Sequence, residues 1–278
     1  MIGAKVVQRF GNSGHVVLPK EYIGKRIKFV LGPKTFENIK FEILGILKPY
    51  LENILGIYLY GSYARSEQTV SSDVDILVIA NTKLKITDNV DDYSIISTTI
   101  TELESTLRNN AVLALPIIKE AKTIINPALL EKYKGYNFTK KNTKRFMDDS
   151  AHVLELNEKG IDLDFEIGSI VYSLMLRVRG LLMIKLMLNS KLYSKASLFS
   201  YLKDNKFLQG KTEELYNIYS KEKNDIRIIE SGIITKKDIS QLLSIAKNLF
   251  KDVQSLLTCR KSQDTSKITI SEHAQKHA

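Results

Sequence analysis

The sequence predicts a mixed α/β protein in three parts: a small N-terminal β-hairpin module, an α/β (α+β) core and an all-α helical bundle at the C-terminus. In the first thirty residues, polar and apolar residues alternate on both sides of a glycine-rich turn. Two apolar runs, GIYLY (56–60) and VDILVIA (74–80), have the length and composition of buried strands. After residue 135 only the helical period is present. We therefore expect a β-module at 1–34, the α/β core at 35–135, the helical domain at 136–258 and a flexible polar tail at 259–278.

The N-terminal module is predicted to be a hairpin. Lys5–Phe10 and His15–Leu18 flank Gly11-Asn12-Ser13-Gly14, a turn-forming sequence, and Lys28–Leu31 has the pattern of another short strand. Such a unit is too small to bury a core of its own, so we expect it to dock or to dimerise.

The core is predicted to begin with a helix and to continue with three strands. Thr35 is a candidate N-cap for a helix with apolar residues at helical spacing up to Ile54, and Pro49 is expected to kink or end its first part. The strands are 56–60, 74–80 and Tyr93–Thr98, followed by a helix through Leu103 and a second helical segment, Val112–Ile125.

The C-terminal part is predicted to contain about five helices. They are Lys141–Lys159, Asp164–Asn189, Ser194–Asp204, Thr212–Lys223 and Lys236–Leu257.

Composition excludes several classes of protein. With 44% hydrophobic and 26% charged residues, the chain of 278 residues is not intrinsically disordered. A single cysteine, Cys259, excludes an intrachain disulfide, and no Cys/His cluster has zinc-ligand spacing. The most apolar stretch, 167–188, contains three cations, which favours a core helix over a membrane span. No secretory signal is expected at residues 1–10, and a cytoplasmic location is predicted.

The chain is basic. A net charge of +10 and a pI of about 9.4 favour anionic partners such as nucleotides, nucleic acid or acidic proteins, although a lysine-rich solvated surface would give the same balance. Residues 1–50 hold nine Lys or Arg against three Glu, so +6 comes from less than a fifth of the chain.

The stretch YGSYARSEQTVSSDVDILVIA (60–80) is the candidate functional motif. Residues i and i+2 of a strand point to the same side, so Asp73 and Asp75 would present two carboxylates on one edge. Such a pair of like charges is costly unless a cation such as Mg²⁺ lies between them. Gly61-Ser62 would supply backbone N–H groups and a hydroxyl at a helix start, where phosphate binds well. The alternative is a solvated strand start capped by Ser71 and Ser72.

The spacing of this motif resembles that of the DNA polymerase β-like nucleotidyltransferase superfamily. Gly-Ser, ten intervening residues and Asp-x-Asp fit its signature, and the surrounding ILGIYLYGSYARSE…SSDVDILV is similar to the minimal nucleotidyltransferases. The resemblance implies transfer of a nucleoside monophosphate from an NTP, with ATP expected, to an acceptor hydroxyl. Gly61 and Ser62 would bind the triphosphate; Asp73 and Asp75 would be catalytic and ligate Mg²⁺ or Mn²⁺. Arg65 would approach the triphosphate or be a surface helix residue.

The sequence departs from this pattern at the third carboxylate. The next strand is DDYSIISTT, with Ser94 and Ser97 where an acid is expected. Either Asp92 becomes the third metal ligand by a register shift, or the base comes from elsewhere, or the chain binds nucleotide without turnover.

The helical part resembles a HEPN-type domain, on YSLMLRVRGLLMIKLML and YNIYSKEKNDIRI. The ribonucleases of that family use Arg-x(4–6)-His on a late helix, which Arg227 does not complete; Arg145 and His152 fit by count but in the first helix. The resemblance therefore implies substrate binding or oligomerisation, as in toxin–antitoxin systems, and not RNA cleavage.

The N-terminal KVVQRFGNSGHVVLPKEYIGKRIKFVL resembles the AbrB/SpoVT-like swapped-hairpin group, including short transposon-associated archaeal versions. The resemblance implies an archaeal homodimer with a DNA-contacting β-module. Its phosphate contacts would come from Lys5, Arg9, Lys25, Arg26 and Lys28. The alternative is a basic β-cap on the core.

Three functions are compatible with these observations. The first is a nucleotidyltransferase acting on a protein hydroxyl, an RNA end or a small molecule. The second is a DNA-binding regulator or nucleotide-sensing pseudoenzyme that uses the basic β-module. A resistance transferase of the aminoglycoside type is a third, which rests only on the shared plan of a catalytic domain plus helices.

Overall fold

The computed structural model describes residues 7–26, 32–69, 72–86, 89–90, 92–204, 210–223 and 234–259. The chain divides into two compact units, Met1–Pro33 and Lys34–Ala278.

The first unit contains the predicted hairpin in a shorter form. β1 (Gln8–Phe10) pairs antiparallel with β2 (Ser13–His15), with Phe10 opposite Ser13. The prediction that the turn takes up Gly11–Gly14 and that His15–Leu18 is the second strand was wrong. Gly11, with a φ of 59°, lets Gly11-Asn12 close the turn alone, so that Ser13 and Gly14 already pair. The predicted strand Lys28–Leu31 lies outside the described residues.

The second unit is built on a five-stranded sheet with the order β5-β6-β4-β3-β7. β4 and β6 are parallel, and the other neighbours are antiparallel. Its elements up to residue 134 are α1 (Phe36–Leu47), β3 (Ile54–Tyr60), α2 (Gly61–Ala64), β4 (Val74–Ala80), β5 (Asn89–Val90), β6 (Tyr93–Thr99), α3 (Ile100–Asn109), α4 (Leu115–Glu120), β7 (Lys122–Ile125) and α5 (Pro127–Lys134).

α1 covers one face of the sheet, as its periodicity predicts. The Thr35 hydroxyl accepts a hydrogen bond from the Asn38 N–H and caps the helix, which ends before Pro49. Ile39, Ile43 and Leu47 are buried in a core with alternate residues of β3 and β4. Lys48–Asn53 forms a 3₁₀ segment that leads into β3, so the helix does not continue to Ile54.

The predicted helix Val112–Ile125 was wrong in its second half. α4 ends at Glu120, and Lys122–Ile125 forms β7 along the edge of β3. Thr123, Ile124 and Ile125 are β-branched and favour a strand, and the free edge of β3 offers them hydrogen-bond partners. The periodicity of a short segment gives no information about a free strand edge that is distant in sequence.

The five predicted C-terminal helices are confirmed. They are α6 (Lys140–Asp162), α7 (Ile167–Leu188), α8 (Lys195–Lys203), α9 (Thr212–Lys223) and α10 (Lys236–Cys259). α7 is long and apolar enough to cross a membrane by length and composition alone. In the structure it packs against α6, α9 and α10.

The helices share one hydrophobic core with the second face of the sheet. This core joins Leu77 and Ile79 of β4 to buried residues of α6, α7, α9 and α10. Because side chains alternate along β4, Asp75 projects on the side that faces this core, whereas Val74 and Ile76 belong to the core under α1. The helical bundle is thus anchored on the sheet face that carries Asp75.

Candidate active site

The Gly61-Ser62 turn lies directly against Asp75. β3 ends at Tyr60, which is opposite Asp75 on β4, and Gly61 then takes a left-handed φ of 72° to start α2. A Cβ atom on Gly61 would lie 1.9 Å from Asp75 Oδ2. Both the backbone angle and the close carboxylate therefore require glycine at this position.

Asp73 and Asp75 have different environments. Asp73 is exposed just before β4, and Asp75, the second residue of β4, is half-buried. The pKa of the Asp75 carboxyl is raised from 3.8 to about 6. Burial is the largest cause, the charge of Lys223 opposes it, and the charge of Asp73 adds to it. The two neighbouring carboxylates, one of them poorly solvated, form a site that favours a cation.

The strand beside this pair supplies a serine where a third acid is expected. Ser94 of β6 is the parallel partner of Asp75. The Asp92 carboxylate instead lies 2.8 Å from Lys34 Nζ, which also contacts Glu42 of α1 at 2.6 Å. This ion pair is on the α1 side of the sheet, away from the side on which Asp75 projects. Asp92 as a metal ligand therefore stays a prediction that would require this pair to open.

Glu120 is a site residue that the sequence analysis did not find. Its Oε1 accepts the Gly61 N–H at 2.8 Å, and its Oε2 accepts Arg65 Nη1 at 2.8 Å. The side chain is 12% exposed. The end of α4 therefore places a carboxylate on a backbone donor and on the arginine that were predicted to bind the triphosphate. In the sequence, the local feature that could have pointed to Glu120 is its position just before the β-branched residues of β7.

Arg65 is held by two acids. Besides Glu120, Glu67 Oε2 accepts its Nε at 2.8 Å. Burial lowers the pKa of Arg65, but the two carboxylates outweigh this effect and raise it. Arg65 is thus a part-buried residue of the site and not a solvated surface residue.

The donor set of the site fits a hard divalent cation. Asp73 and Asp75 provide two carboxylates, which is the number that Mg²⁺ takes when substrate phosphates and water complete its shell. Among the described residues no group of three His, Cys, Asp or Glu side chains has metal-binding geometry. The pair would therefore need oxygen ligands from the nucleotide.

The remaining predicted residues belong to α2, to the first unit and to α6. Ser62 is half-buried in α2 next to Gly61. Arg9, Lys25 and Arg26 are exposed in the first unit, while Lys5 and Lys28 are outside the described residues. Arg145 and His152 are exposed on α6.

Comparison with family models defines the class of the core. Residues 42–132 match the family described as "Polymerase beta, Nucleotidyltransferase". The chain therefore contains a DNA polymerase β-like nucleotidyltransferase domain. Residues 3–31 match the family described as "Putative transposon-encoded protein (DUF2080)".

Solved structures similar to the chain include an adenyltransferase and a nucleotidyltransferase-like protein. Spectinomycin adenyltransferase AAD(9) from Enterococcus faecialis, in a crystal structure with ATP and spectinomycin, is 18% identical, with a TM-score of 0.43 over 77% of this chain and 100% of that one. A nucleotidyltransferase-like protein from Exiguobacterium sibiricum 255-15 is 12% identical, with a TM-score of 0.36 over 79% of this chain and 77% of that one. Comparison with curated proteins gives no significant match.

Proposed function

We propose that the protein is a Mg²⁺-dependent nucleotidyltransferase that moves a nucleoside monophosphate from an NTP, with ATP the expected donor, to an acceptor hydroxyl. The observation that carries this proposal is the contact of the Gly61 turn with Asp75, because backbone N–H groups that can bind phosphate then lie beside a carboxylate that can bind a metal ion. The family match over residues 42–132 supports the same class of reaction.

The residues have separate roles in this proposal. The backbone N–H groups of Gly61 and Ser62, with the Arg65 guanidinium, hold the triphosphate. Asp73 and Asp75 would hold the Mg²⁺ ion, or Mn²⁺. When bound, the ion neutralises the charge that develops on the phosphate oxygens.

The transfer is a substitution at phosphorus. The acceptor hydroxyl oxygen forms a bond to the α-phosphorus, the bond from that phosphorus to the α–β bridging oxygen breaks, and pyrophosphate leaves with the electron pair. The hydroxyl proton is finally released to solvent, and Ser94 of β6 does not supply the carboxylate that would accept it first.

Label transfer tests the proposal. We expect purified protein with α-³²P-ATP, Mg²⁺ and cell lysate to label an acceptor, and EDTA to abolish the labelling. Each of the four NTPs is tried, with Mn²⁺ in parallel. If no NTP gives label and none binds in calorimetry, the proposal is wrong; NTP binding without label would favour the nucleotide-sensing alternative.

Glu120→Gln is expected to tighten NTP binding two- to tenfold. The Glu120 carboxylate contacts the Gly61 N–H and Arg65, so it competes with the triphosphate for both, and a neutral amide competes less well. Loss of one charged partner of Arg65 should also lower the free energy of unfolding by about 1–2 kcal/mol.

The measurement is the Kd of a non-hydrolysable ATP analogue with Mg²⁺, by calorimetry. Glu131→Gln is the matched control, since Glu131 is an exposed acid that pairs with Lys134 on α5. Weaker nucleotide binding in Glu120→Gln would mean that Glu120 holds the turn in its binding form.

We further propose that the first unit makes a homodimer and contacts DNA. Large apolar side chains are exposed in this unit, and a second copy would cover them: Val7, Phe10, Val17 and Ile23. Arg9, Lys25 and Arg26 are exposed cations suited to phosphate contacts. The finer assignments (minimal type, AbrB-like and HEPN-like modules, archaeal origin, cytoplasmic location) stay predictions.

Reversing these three charges tests the DNA contact. Arg9→Glu, Lys25→Glu and Arg26→Glu together should lower affinity for duplex DNA at least tenfold and reduce the steepness of its salt dependence. Anisotropy of labelled DNA at several salt concentrations measures both. Unchanged affinity and slope would contradict DNA binding by this unit, and label transfer should be unaffected in either case.

A further inference from the structure

A half-buried arginine among tyrosines lies where the helical bundle meets the nucleotidyltransferase core. We call Arg179, Tyr172, Tyr193, Tyr216 and Tyr219 the arginine–tyrosine cluster. Arg179 Nη1 donates to the Tyr219 hydroxyl at 3.1 Å, and its guanidinium lies 5.5 Å from the centre of the Tyr193 ring. Tyr219 stacks on Tyr172 at 5.6 Å and packs against Tyr216 at 5.8 Å.

Arg179 has no carboxylate partner within the part of the chain that the structure describes. Its contacts there are a phenol and an aromatic ring, and its Nε is buried without a hydrogen-bond partner. A partly buried cation without an acid is costly, and a bound anion would offset this cost. Arg177 Nε is likewise buried without a partner, so the tyrosines and Arg65 beside Arg179 distinguish it as the candidate anion site.

Two further cations, Arg65 and Lys223, lie between the arginine–tyrosine cluster and the Asp73–Asp75 pair. Arg65 lies 6.0 Å from the Tyr193 ring and is close enough to Arg179 to act on its pKa. Lys223, seven residues after Tyr216 on α9, is close enough to Asp75 to lower the pKa of that carboxyl. Because residues three, four and seven apart share a helix face, Tyr216, Tyr219 and Lys223 project to one side of α9.

Two acids of the described residues near the cluster are already engaged. Glu67 and Glu120 both bind Arg65, and Glu67 Oε1 also accepts the Lys195 backbone N–H at 2.8 Å. Lys195 Nζ lies 4.2 Å from the centre of the Tyr216 ring, at the exposed side of the cluster. Among the described residues neither Arg179 nor Lys195 pairs with an acid: Arg179 lies beside the buried rings of Tyr193 and Tyr219, and Lys195 beside the partly exposed ring of Tyr216.

We propose that the acceptor is a phosphate-bearing nucleotide unit, either a free mononucleotide or the 3′ end of an RNA, with its phosphate on Arg179 and its base against Tyr216. This inference rests on the proposed function and specifies its acceptor. The hydroxyl of this unit would be the group that attacks the α-phosphorus, with pyrophosphate leaving. Ammonium-bearing acceptors of the aminoglycoside type would be repelled by Arg179 and Lys195.

Binding to a variant without turnover tests the acceptor directly. Full-length protein carrying Asp73→Asn and Asp75→Asn is titrated against a 5′-fluorescein ten-nucleotide RNA with a free 3′ hydroxyl, and anisotropy is read at several salt concentrations. Adding Arg179→Met should weaken binding at least tenfold and lower the magnitude of the salt slope by about 0.7. Arg177→Met is the matched control, expected to change affinity less than twofold. Arg177 is on another face of α7 and lies 5.7 Å from the Phe146 ring.

Lys195→Met gives a second variant whose folding is not in question, because Lys195 is exposed. It should weaken binding three- to tenfold. Competition by AMP distinguishes the two acceptors. Full displacement of the labelled RNA by micromolar AMP indicates a mononucleotide acceptor, and displacement only by unlabelled RNA indicates an RNA end. Kanamycin should not compete.

Three outcomes would overturn the inference. They are no binding of RNA or AMP, equal affinity of the Arg179→Met and Arg177→Met proteins, and competition by kanamycin but not by AMP. Label transfer by the wild-type protein is read separately. Label on an uncharged or cationic acceptor would leave the proposed function standing while this inference falls, whereas the absence of both NTP binding and label would remove the proposed function itself.

Discussion

Asp75→Asn is expected to abolish Mg²⁺-dependent nucleotidyl transfer and, at the same time, to stabilise the metal-free protein above pH 7. Transfer should fall at least a thousandfold, because the variant loses one of the two carboxylates available to the ion. Stability should rise because burial makes the Asp75 charge unfavourable: its pKa is about 6 in the folded protein and 3.8 ordinarily.

The direction of the pH effect follows from these two pKa values. Between pH 3.8 and 6 the folded state binds a proton at Asp75 that the unfolded state has lost, so the wild-type protein loses stability as pH rises through this window. A shift of roughly two pKa units corresponds to about 3 kcal/mol, and partial solvent exposure reduces this to on the order of 1–2 kcal/mol. Asparagine carries no charge, so the Asp75→Asn protein does not lose stability from this side chain as the pH rises.

Urea unfolding at pH 4.5 and pH 8, with and without Mg²⁺, measures the effect. The stability gain of Asp75→Asn should be present at pH 8 and small at pH 4.5, and Mg²⁺ with nucleotide should stabilise only the wild-type protein. Asp73→Asn is the control: it should also remove transfer, but with little change in stability, since Asp73 is exposed. A variant that is destabilised at pH 8 would contradict the assigned environment of Asp75.

The chemistry near residues 60–80 could be predicted because the motif is local. Gly61 directly follows β3, and Asp75 is on β4, the antiparallel neighbour that a short connection joins to β3, so their spacing in sequence fixes their contact in space. The same reasoning found Ser94 and Ser97 where a further acid is expected, and the structure pairs Ser94 with Asp75. These contacts depend on strand register alone.

Glu120 and Arg179 could not be predicted because their partners are distant in sequence. Glu120 reaches Gly61 only because α4 ends there, and β7, which begins just after it, was predicted as helix. Arg179 stood in an apolar segment and was interpreted as an interruption of a core helix. Its environment forms only when α7, α9 and the segment before α8 pack together.

Gly61→Ala is expected to lower the free energy of unfolding by about 3 kcal/mol or more and to abolish nucleotide binding. A left-handed backbone costs a residue with a Cβ about 1–2 kcal/mol, and the added atom would overlap Asp75 Oδ2 at 1.9 Å. The carboxylate must then move, which separates the phosphate turn from the metal ligands.

A glycine of similar φ elsewhere separates these two contributions. Gly210 has a φ of 88° and nothing within 4 Å of a Cβ at that position, so Gly210→Ala should cost only about 1 kcal/mol and leave nucleotide binding intact. Asp75→Ala removes the nearest clashing atoms, and the double variant with Gly61→Ala should be more stable than the two single changes predict by about 1–2 kcal/mol. Urea unfolding of the four proteins completes the cycle. Strict additivity would show that the Gly61 turn and Asp75 do not touch, and would remove the contact on which the proposed function rests.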